Sequence, residues 1–321
     1  MKAMIRDRYG PPAVVRLAEA GKPVPGDGEV LVRVRGASVN PLDWHFLRGT
    51  PRVLRVALGL PRPRKPGLGA DLAGEVEAIG PNVKALRAGD AVFGLSRGTF
   101  AEFVCARETS LAVKPAACSF PEAAAIPIAG CTALQGLRDH GRVVRGQSVL
   151  INGAAGGVGT FAVQIARALG LEVTGVCSTR NVELVRSLGA ATVVDYTRDD
   201  FTASGHRYDV VFDCVGNRPL SALRRVLAPQ GACVMIGGGG SSLSIVTGMI
   251  GTFVLSRVVR QTLVSFLASV NTADLGVLRE WIDSGQVRVI VDREYPLERV
   301  SEALAYLEEG HARGKVTIAI A

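Results

Sequence analysis

The run of residues 148–159, SVLINGAAGGVG, constrains the fold of this chain more than any other stretch. It predicts a short buried strand, a tight glycine turn and a helix over about 158–168 that stops at Gly170. A second apolar strand, residues 171–177, follows, so the unit has the length of a βαβ crossover. Glycines in such a turn let a pyrophosphate approach backbone N–H groups at the positive end of the helix. The pattern therefore predicts a dinucleotide site.

The composition is that of a globular protein long enough for two domains, with 321 residues of which 48% are apolar and 21% charged. The net charge is +8 and the isoelectric point about 9.5, but Lys and Arg are scattered rather than gathered into a stripe for nucleic acid. The six cysteines lie far apart, which indicates small core residues of a reducing compartment rather than disulfides or a zinc knot.

The first seven residues, MKAMIRD, lack the apolar segment of a secretory signal, so we expect a cytoplasmic protein. The longest apolar run, residues 243–255, is interrupted by polar residues and too short to span a bilayer. We expect no integral membrane segment. This run could form a lid, a dimer contact or a contact with a membrane surface, and the sequence does not decide among these three roles.

The order of the elements predicts an α/β protein. Residues 1–115 contain short strands separated by glycine and proline, and the composition turns helical around 118–144, with one helix opening at Pro121 and another over 132–140. Apolar strands then alternate with amphipathic stretches, which predicts a parallel, doubly wound sheet that binds ligands at the carboxyl ends of its strands. The strands are predicted at 149–152, 173–177, 192–195, 210–213, 232–236 and 262–268. A helix at 272–284 and a strand at 315–320 close the chain.

The stretch between Asp43 and Asp71 has no acidic residue and carries six basic ones among prolines. We expect a loop there. It is either a solvated surface loop or a positive rim that attracts an anionic or quinone-like ligand.

With these elements placed, the chain resembles the medium-chain dehydrogenase/reductase superfamily, and within it the zinc-independent quinone oxidoreductase branch. The resemblance is carried by four stretches: 37–43 (ASVNPLD), 67–76 (GLGADLAGEV), 152–159 (NGAAGGVG) and 310–315 (GHARGK). It implies a GroES-like, β-rich catalytic domain of residues 1–117 and 271–321 and an inserted, doubly wound Rossmann domain of residues 118–270 that binds the nucleotide. It also implies an active site in the cleft between the two domains.

The chain departs from the zinc-dependent members at the metal positions. Those members place a Cys where this chain has Asn40, and Gly-His-Glu where it has Gly69-Ala70-Asp71, because Zn²⁺ needs thiolate and imidazole ligands. We therefore predict an enzyme without a metal. His45 has no second metal-type ligand beside it and is interpreted as a polar wall residue.

Loss of a Lewis acid makes simple ketone or alcohol chemistry harder, whereas quinones and α,β-unsaturated carbonyls accept a hydride more readily. The resemblance supports Asn40 as a contact of the nicotinamide; the alternative is a turn residue before Pro41. Asp43 is expected to orient a neighbour or a water, with His45 or Trp44 as a wall. No residue of the sequence identifies itself as the proton donor.

Further residues are predicted to contact the cofactor. Gly156, Gly157 and Val158 offer backbone amides, and Thr132 could start a helix beside the nicotinamide ribose or a phosphate. Four residues that follow predicted strands could be cofactor contacts or mere turn residues: Val215, Gly216, Gly237 and Gly238. Tyr196, after the third strand, could cover the adenine, contact a phosphate or simply lie on the surface.

The cofactor is expected to be NADPH. NAD specificity normally uses a carboxylate about twenty residues past the glycine turn. Residues 177–181, CSTRN, have none there, while Ser178, Thr179 and Arg180 can donate to a 2′-phosphate. The alternative for Arg180 is an exposed residue at the start of a helix.

The sequence thus predicts an NADPH-dependent, zinc-independent quinone or enone oxidoreductase. An NADP-dependent alcohol or ketone reductase and a non-catalytic nucleotide-binding protein remain the alternatives. Residues 261–268 would form an edge strand, and pairing with a second copy, as the resemblance implies, would give a homodimer.

Overall fold

The computed structural model describes residues 1–236 and 259–321. Within these residues the chain forms fifteen strands and nine α-helices. The strands are β1 (Lys2–Ile5), β2 (Arg16–Glu19), β3 (Glu29–Val39), β4 (Asp71–Ile79), β5 (Ala91–Leu95), β6 (Phe103–Arg107), β7 (Leu111–Val113), β8 (Ser148–Asn152), β9 (Glu172–Cys177), β10 (Thr192–Asp195), β11 (Tyr208–Asp213), β12 (Leu227–Met235), β13 (Thr262–Ser265), β14 (Val291–Pro296) and β15 (Lys315–Ala319). The helices are α1 (Pro41–Arg48), α2 (Leu54–Leu58), α3 (Phe120–Ala124), α4 (Pro127–Gln135), α5 (Gly157–Ala168), α6 (Val182–Ser187), α7 (Leu220–Arg225), α8 (Thr272–Asp283) and α9 (Val300–Glu308).

The chain divides into two compact units. Unit 1 contains residues Met1–Cys131, Val270–Gly285 and Val289–Ala321, and unit 2 contains Thr132–Ser269 and Gln286–Arg288. The predicted domain limits at 118 and 270 stay predictions.

Unit 1 is built on a seven-stranded sheet in the order β14-β15-β3-β4-β5-β7, with β6 also paired to β3. All neighbours are antiparallel except β14 and β15, which are parallel. The long strand β3 lies in the middle of this sheet, and its apolar residues are buried along almost its whole length. The last strand, β15, pairs with the end of β3, so residues far apart in the chain become neighbours.

Unit 2 contains a six-stranded, all-parallel sheet in the order β10-β9-β8-β11-β12-β13. The strand order reverses between β8 and β11, which is the switch point where doubly wound sheets bind ligands. The central strands β8, β9 and β11 are apolar and almost fully buried, as in a parallel sheet covered on both faces, whereas the edge strands β10 and β13 are mostly half-buried or exposed.

The prediction of an α/β fold with a doubly wound sheet is confirmed. The strand over 192–195 has the predicted bounds, and β13 lies at the sheet edge as expected, although it ends at Ser265 rather than 268. It ends early because the following chain is held by Gln135, which donates to the Ser269 carbonyl at 2.6 Å and accepts its N–H at 3.1 Å.

Two local predictions were wrong. The basic stretch after Asp43 is not all loop, since α1 continues to Arg48 and α2 follows. The helix predicted over 132–140 begins at Pro127, where proline's fixed φ suits a first helical turn, and it continues as a π-helical turn over Gly136–His140. Thr132 therefore lies inside a helix and not at its start.

All six cysteines are free, four of them buried and Cys105 and Cys214 half-buried. In the two ranges that the structure describes, no helix combines the length and the apolar character needed to cross a membrane. The apolar run 243–255 lies outside those ranges.

Candidate active site

The centre of the candidate site in unit 1 is the carboxylate of Asp71, which is fully buried. One of its oxygens, Oδ2, accepts hydrogen bonds from Ser38 Oγ at 2.8 Å and from Asn40 Nδ2 at 2.9 Å. The other oxygen accepts the backbone N–H of Ile128, at the start of α4, at 3.0 Å. The ammonium of Lys315 lies 3.7 Å from Oδ2. Asp71 thus has a donor or a cation on every side, as a buried carboxylate requires.

The sheet register brings these residues together. Ser38 on β3 is paired with Asp71 on β4, and Val39 is paired with Val316 on β15. Lys315 therefore begins its strand beside the residue that ends β3. The ammonium donates to Asn40 Oδ1 at 2.5 Å and to the Val39 carbonyl at 3.3 Å.

Asn40 is the N-cap residue of α1, and Pro41 occupies the first helical position. Its backbone N–H donates to Asp43 Oδ2 at 2.8 Å. Its side-chain amide uses the oxygen for Lys315 and a hydrogen for Asp71, and the residue is 2% exposed. The amide is therefore fixed in one orientation. The prediction that it contacts the nicotinamide stays a prediction. The alternative was a turn residue before Pro41, and Asn40 does lie directly before Pro41, at the N-cap position of α1.

Burial shifts the charges of this network. Removal from water raises the pKa of Asp43 to about 7, against the opposing effect of the hydrogen bond from the Asn40 N–H. Burial also raises the pKa of Asp71, which the nearby Lys315 ammonium counteracts, and lowers the pKa of Lys315. Asp43 thus accepts a hydrogen bond from its neighbour Asn40, and its role in orienting a reacting group stays a prediction.

His45 lies on the next turn of α1 and is half-buried. Its Nδ1 is 3.0 Å from the Thr50 carbonyl, and since a carbonyl only accepts, that nitrogen carries the proton. Burial lowers the pKa of His45, so the ring is neutral at pH 7 and presents the lone pair of Nε2. A ring in this state accepts a hydrogen bond but has no proton to give from Nε2. Its ring makes an edge-to-face contact with Trp44, with the ring centroids 4.6 Å apart, and the role of the two rings as a wall stays a prediction.

The residues at the metal positions do not fit zinc. Asn40 replaces a thiolate with a neutral amide, and the oxygen of this amide already accepts a hydrogen bond from Lys315. Both oxygens of the Asp71 carboxylate already accept hydrogen bonds. The Lys315 ammonium already supplies a positive charge at this place. Among the described residues, no group of three His, Cys, Asp or Glu side chains is arranged to hold a metal ion.

The glycine turn of unit 2 fits a dinucleotide. Gly153 follows β8 with a φ of +81°, and a Cβ on Gly159 would lie 2.0 Å from the Gly153 carbonyl oxygen, so the helix packs closely on the turn. No side chain caps α5, whose N-cap is Gly156. Gly156, Gly157 and Val158 are only half-buried, so a phosphate can approach the positive end of this twelve-residue helix.

The residues predicted to select the cofactor follow β9 and β10. Ser178 is half-buried, Arg180 is exposed, and Tyr196 is 48% exposed. The expectation of no carboxylate here was incomplete, because Asp195 at the end of β10 lies beside the end of β9 and accepts a hydrogen bond from Thr179 Oγ1 at 2.5 Å.

At the switch point, Asp213 ends β11 and organises the turn that follows. Its Oδ1 accepts the N–H groups of Val215 and Gly216, each at 3.0 Å, and the Asn152 amide at 2.8 Å. The two backbone N–H groups are therefore committed to Asp213, and any contact of these residues with a cofactor must use other atoms. Gly237 and Gly238 lie outside the described residues.

Sequence reasoning missed Lys315, Asp195 and Asp213 as site residues. Lys315 belonged to one of the stretches that carry the resemblance, and both aspartates directly end predicted strands, so each had a signal in the sequence. None had an identifiable partner without the strand pairing.

A sheet of the unit 1 type together with a doubly wound sheet whose glycine turn opens a helix defines a class: dehydrogenases and reductases that join a GroES-like domain to a Rossmann domain. Residues 26–116 match the alcohol dehydrogenase GroES-like domain, and residues 188–318 match the family model described as zinc-binding dehydrogenase.

Three similar proteins cover nearly the whole chain. The chloroplast envelope quinone oxidoreductase homolog of Arabidopsis thaliana is 31% identical over 99% of this chain and 98% of its own. The NADPH-dependent alkenal/one oxidoreductase of the same plant is 33% identical over 99% of this chain and 79% of its own. The structure of the Escherichia coli quinone oxidoreductase complexed with NADPH is 25% identical, covers 99% of this chain and 100% of that one, and has a TM-score of 0.82. The chain belongs to the medium-chain dehydrogenase/reductase superfamily, in its quinone oxidoreductase-like branch.

Proposed function

We propose that this protein transfers a hydride from NADPH to a quinone or an activated α,β-unsaturated carbonyl, without a metal. The observation that carries the proposal is the network of Asp71, Asn40 and Lys315 at the positions of the zinc ligands, where an amide, an ammonium and a carboxylate are already committed to one another. The names of the quinone and alkenal/one oxidoreductases to which the chain is similar support the same acceptors.

Bound NADPH supplies the hydride. The chain's own residues hold and orient the reactants: half-buried N–H groups at the start of α5 suit the pyrophosphate, and Arg180 suits a 2′-phosphate. Quinones and enones fit because the charge they gain is delocalised onto oxygen, so no Lewis acid is needed.

We assign Asn40, Asp43 and His45 to the reacting end. Lys315 and Asp71 fix the Asn40 amide, Asp43 fixes its backbone, and neutral His45 accepts a hydrogen bond through Nε2. None of the three is arranged to give up a proton directly, because Asn40 cannot and Asp43 is 1% exposed. Water is therefore the proposed proton source.

We assign the cofactor to the residues predicted for it: Asn40, Thr132, Gly156, Gly157, Val158, Ser178, Arg180, Tyr196, Val215, Gly216, Gly237 and Gly238. We also propose the domain limits given above, a cytoplasmic location, and a homodimer formed along β13.

The test is NADPH oxidation by chelator-treated protein with matched panels of quinones, enones and simple ketones. We expect acceptor-dependent loss of NADPH absorbance with quinones or enones and little with ketones. Turnover of ketones or alcohols alone would instead support the alcohol reductase, and NADPH binding without any turnover would support a non-catalytic nucleotide-binding protein. Activity that returns only when zinc is added would contradict the metal-free mechanism.

A further inference from the structure

We infer that Asp195 is a positioning residue for cofactor selection: its carboxylate holds the turn that carries Arg180, and thereby sets the preference for NADPH over NADH. The inference rests on the proposed use of NADPH and adds a residue that works through Arg180 rather than by touching the cofactor.

The carboxylate joins the two turns that follow β9 and β10. Asp195 is paired with Cys177 at the ends of these parallel strands. Its Oδ2 accepts from Thr179 Oγ1 at 2.5 Å, and its Oδ1 accepts from Thr197 Oγ1 at 2.8 Å and from the Thr197 N–H at 3.0 Å. The two threonine hydroxyls also lie 3.0 Å apart. One side chain thus fixes both turns.

Asp195, Thr179 and Thr197 together form what we call the Asp195 cluster. Arg180 follows Thr179 in the sequence, and Tyr196 lies next to Asp195. Thr179 opens a short 3-10 helix of three residues, Thr179–Asn181, of which Arg180 is the middle residue. Tyr196 lies between Asp195 and Thr197, and its N–H donates to the Cys177 carbonyl at 3.0 Å. The backbone positions of both side chains are therefore set by the Asp195 cluster. A guanidinium placed in advance loses less conformational freedom when it binds a phosphate.

A carboxylate at this place could instead favour NADH, in which case its removal would strengthen the binding of NADPH. In NAD-specific proteins a free carboxylate accepts the ribose hydroxyls and repels a 2′-phosphate. The Asp195 oxygens are already occupied by three donors, and Arg198 Nε lies 3.7 Å from Oδ2. The hydrogen bond from Thr179, the largest influence, lowers the pKa of Asp195, so the group stays ionised as an acceptor within the cluster. This occupancy favours the positioning role.

The test measures the Kd of NADPH and of NADH for the intact purified protein by fluorescence titration of the nicotinamide. Asp195→Ala and the near-isosteric Thr179→Val should each weaken NADPH by about tenfold, the size of one lost hydrogen bond to a charged group, and change NADH by less than about twofold. Thr179→Val removes only a hydroxyl. If Asp195→Ala folds poorly, Thr179→Val takes its place in the double-mutant cycle with Arg180→Ala, where loss of a direct phosphate contact by Thr179 would be additive and loss of positioning would not.

Asp209→Ala is the matched control. Asp209 also accepts a hydroxyl and a backbone N–H, both from Ser148 at 2.9 Å, but near the start of β11, at the opposite end of the sheet. Asp209→Ala should leave the ratio of the Kd for NADPH to the Kd for NADH unchanged, even if it lowers the stability of the protein.

A double-mutant cycle with Arg180→Ala separates positioning from a general structural effect. When Arg180 is already absent, Asp195→Ala should weaken NADPH by less than about twofold, because coupled residues are not additive. Tighter NADPH binding by Asp195→Asn would overturn the inference in favour of repulsion. Equal weakening of both cofactors, or full additivity with Arg180→Ala, would also overturn it.

The inference and the proposed function fail in different ways. A wild-type protein that binds NADH as tightly as NADPH contradicts the proposed cofactor. A wild type that prefers NADPH and an Asp195→Ala variant with the same preference contradict only the role of Asp195.

Discussion

The ammonium nitrogen of Lys315 lies 2.5 Å from the amide oxygen of Asn40, although 275 positions separate the two residues in the chain. Both are buried, and Asp71 lies against both. A lysine in such a place is tolerated only because its positive charge is paired and hydrogen-bonded.

Lys315→Met should destabilise the protein strongly. Removal of one member of a buried pair typically costs about 3–5 kcal/mol, because the Asp71 charge loses its cation and the Asn40 oxygen loses its donor. Urea unfolding measures the change. The exposed Lys84→Met is the control and should stay within about 0.5 kcal/mol of wild type. Adding Asp71→Asn to Lys315→Met should recover part of the loss, and a loss below about 1 kcal/mol for Lys315→Met would contradict the pairing.

Asp43 should make stability depend on pH. Its folded-state pKa of about 7 lies above the ordinary value of 3.8, so between these pH values the folded protein holds a proton that the unfolded chain has released. Stability should therefore fall as pH rises from about 4 to 7 and level off above that. Relative to Asp43→Asn, which keeps an oxygen for the Asn40 N–H, the wild type should lose up to about 3 kcal/mol of unfolding free energy between pH 5 and pH 8.

The control for this pH effect is Asp90→Asn, a half-buried carboxylate that accepts the Arg87 N–H at 2.7 Å in a turn. This variant keeps Asp43, so its unfolding free energy should still fall between pH 5 and pH 8. Parallel profiles for Asp43→Asn and the wild type would show that Asp43 does not titrate in this range.

Arg180→Ala should weaken NADPH by about ten- to a hundredfold, since a charge-assisted contact contributes roughly 1.5–3 kcal/mol, and should leave NADH nearly unchanged. Titration of both cofactors measures this. Arg186→Ala is the control, because this guanidinium on α6 pairs with Glu183 at 2.8 Å. If Arg180→Ala loses both cofactors equally, the assignment of Arg180 is wrong.

Thr262→Lys should dissociate the proposed homodimer. Thr262 is exposed on the edge strand β13, and a charge on an edge strand opposes pairing with a second copy. Light scattering at micromolar concentration measures the mass. Thr192→Lys places the same charge on the exposed start of the opposite edge strand, β10, and should leave the dimer intact. A monomeric wild type would contradict the proposal.

The sequence predicted the features whose causes are local. The glycine turn before α5 and the strand at 192–195 follow from short patterns of glycine and apolar residues. The start of α4 was missed by five residues, because the apolar and alanine-rich composition around Pro127 gives little contrast between the helix and what precedes it.

The site depended on pairings that no local pattern contains. Asn40 and Lys315 meet only because β15 aligns with β3, and Thr179 meets Asp195 only because β9 and β10 end level. Val215 and Gly216 follow β11 as expected, and their contact with a cofactor stays a prediction. Their hydrogen bonds to Asp213 depend on the direction of individual N–H groups, which no sequence pattern gives. A sequence gives the residues at the ends of strands and leaves their mutual orientation to the fold.

The pairing of β15 with β3 has a consequence for synthesis on the ribosome. At about 5–20 residues per second, the 275 residues between Asn40 and Lys315 take roughly 15–55 s to translate. During that interval β3 and β4 can pair, but Asp71 and Asn40 lack the ammonium of Lys315. Every strand of unit 2 is synthesised before Lys315. The middle of the chain can therefore fold first. Slower translation near the end should lengthen the life of an intermediate in which residues 36–39 of β3 lack their partner strand, while β6 already covers residues 29–33 on the same edge. The dependence of this protein on chaperones should therefore increase with the time for which that part of β3 stays unpaired.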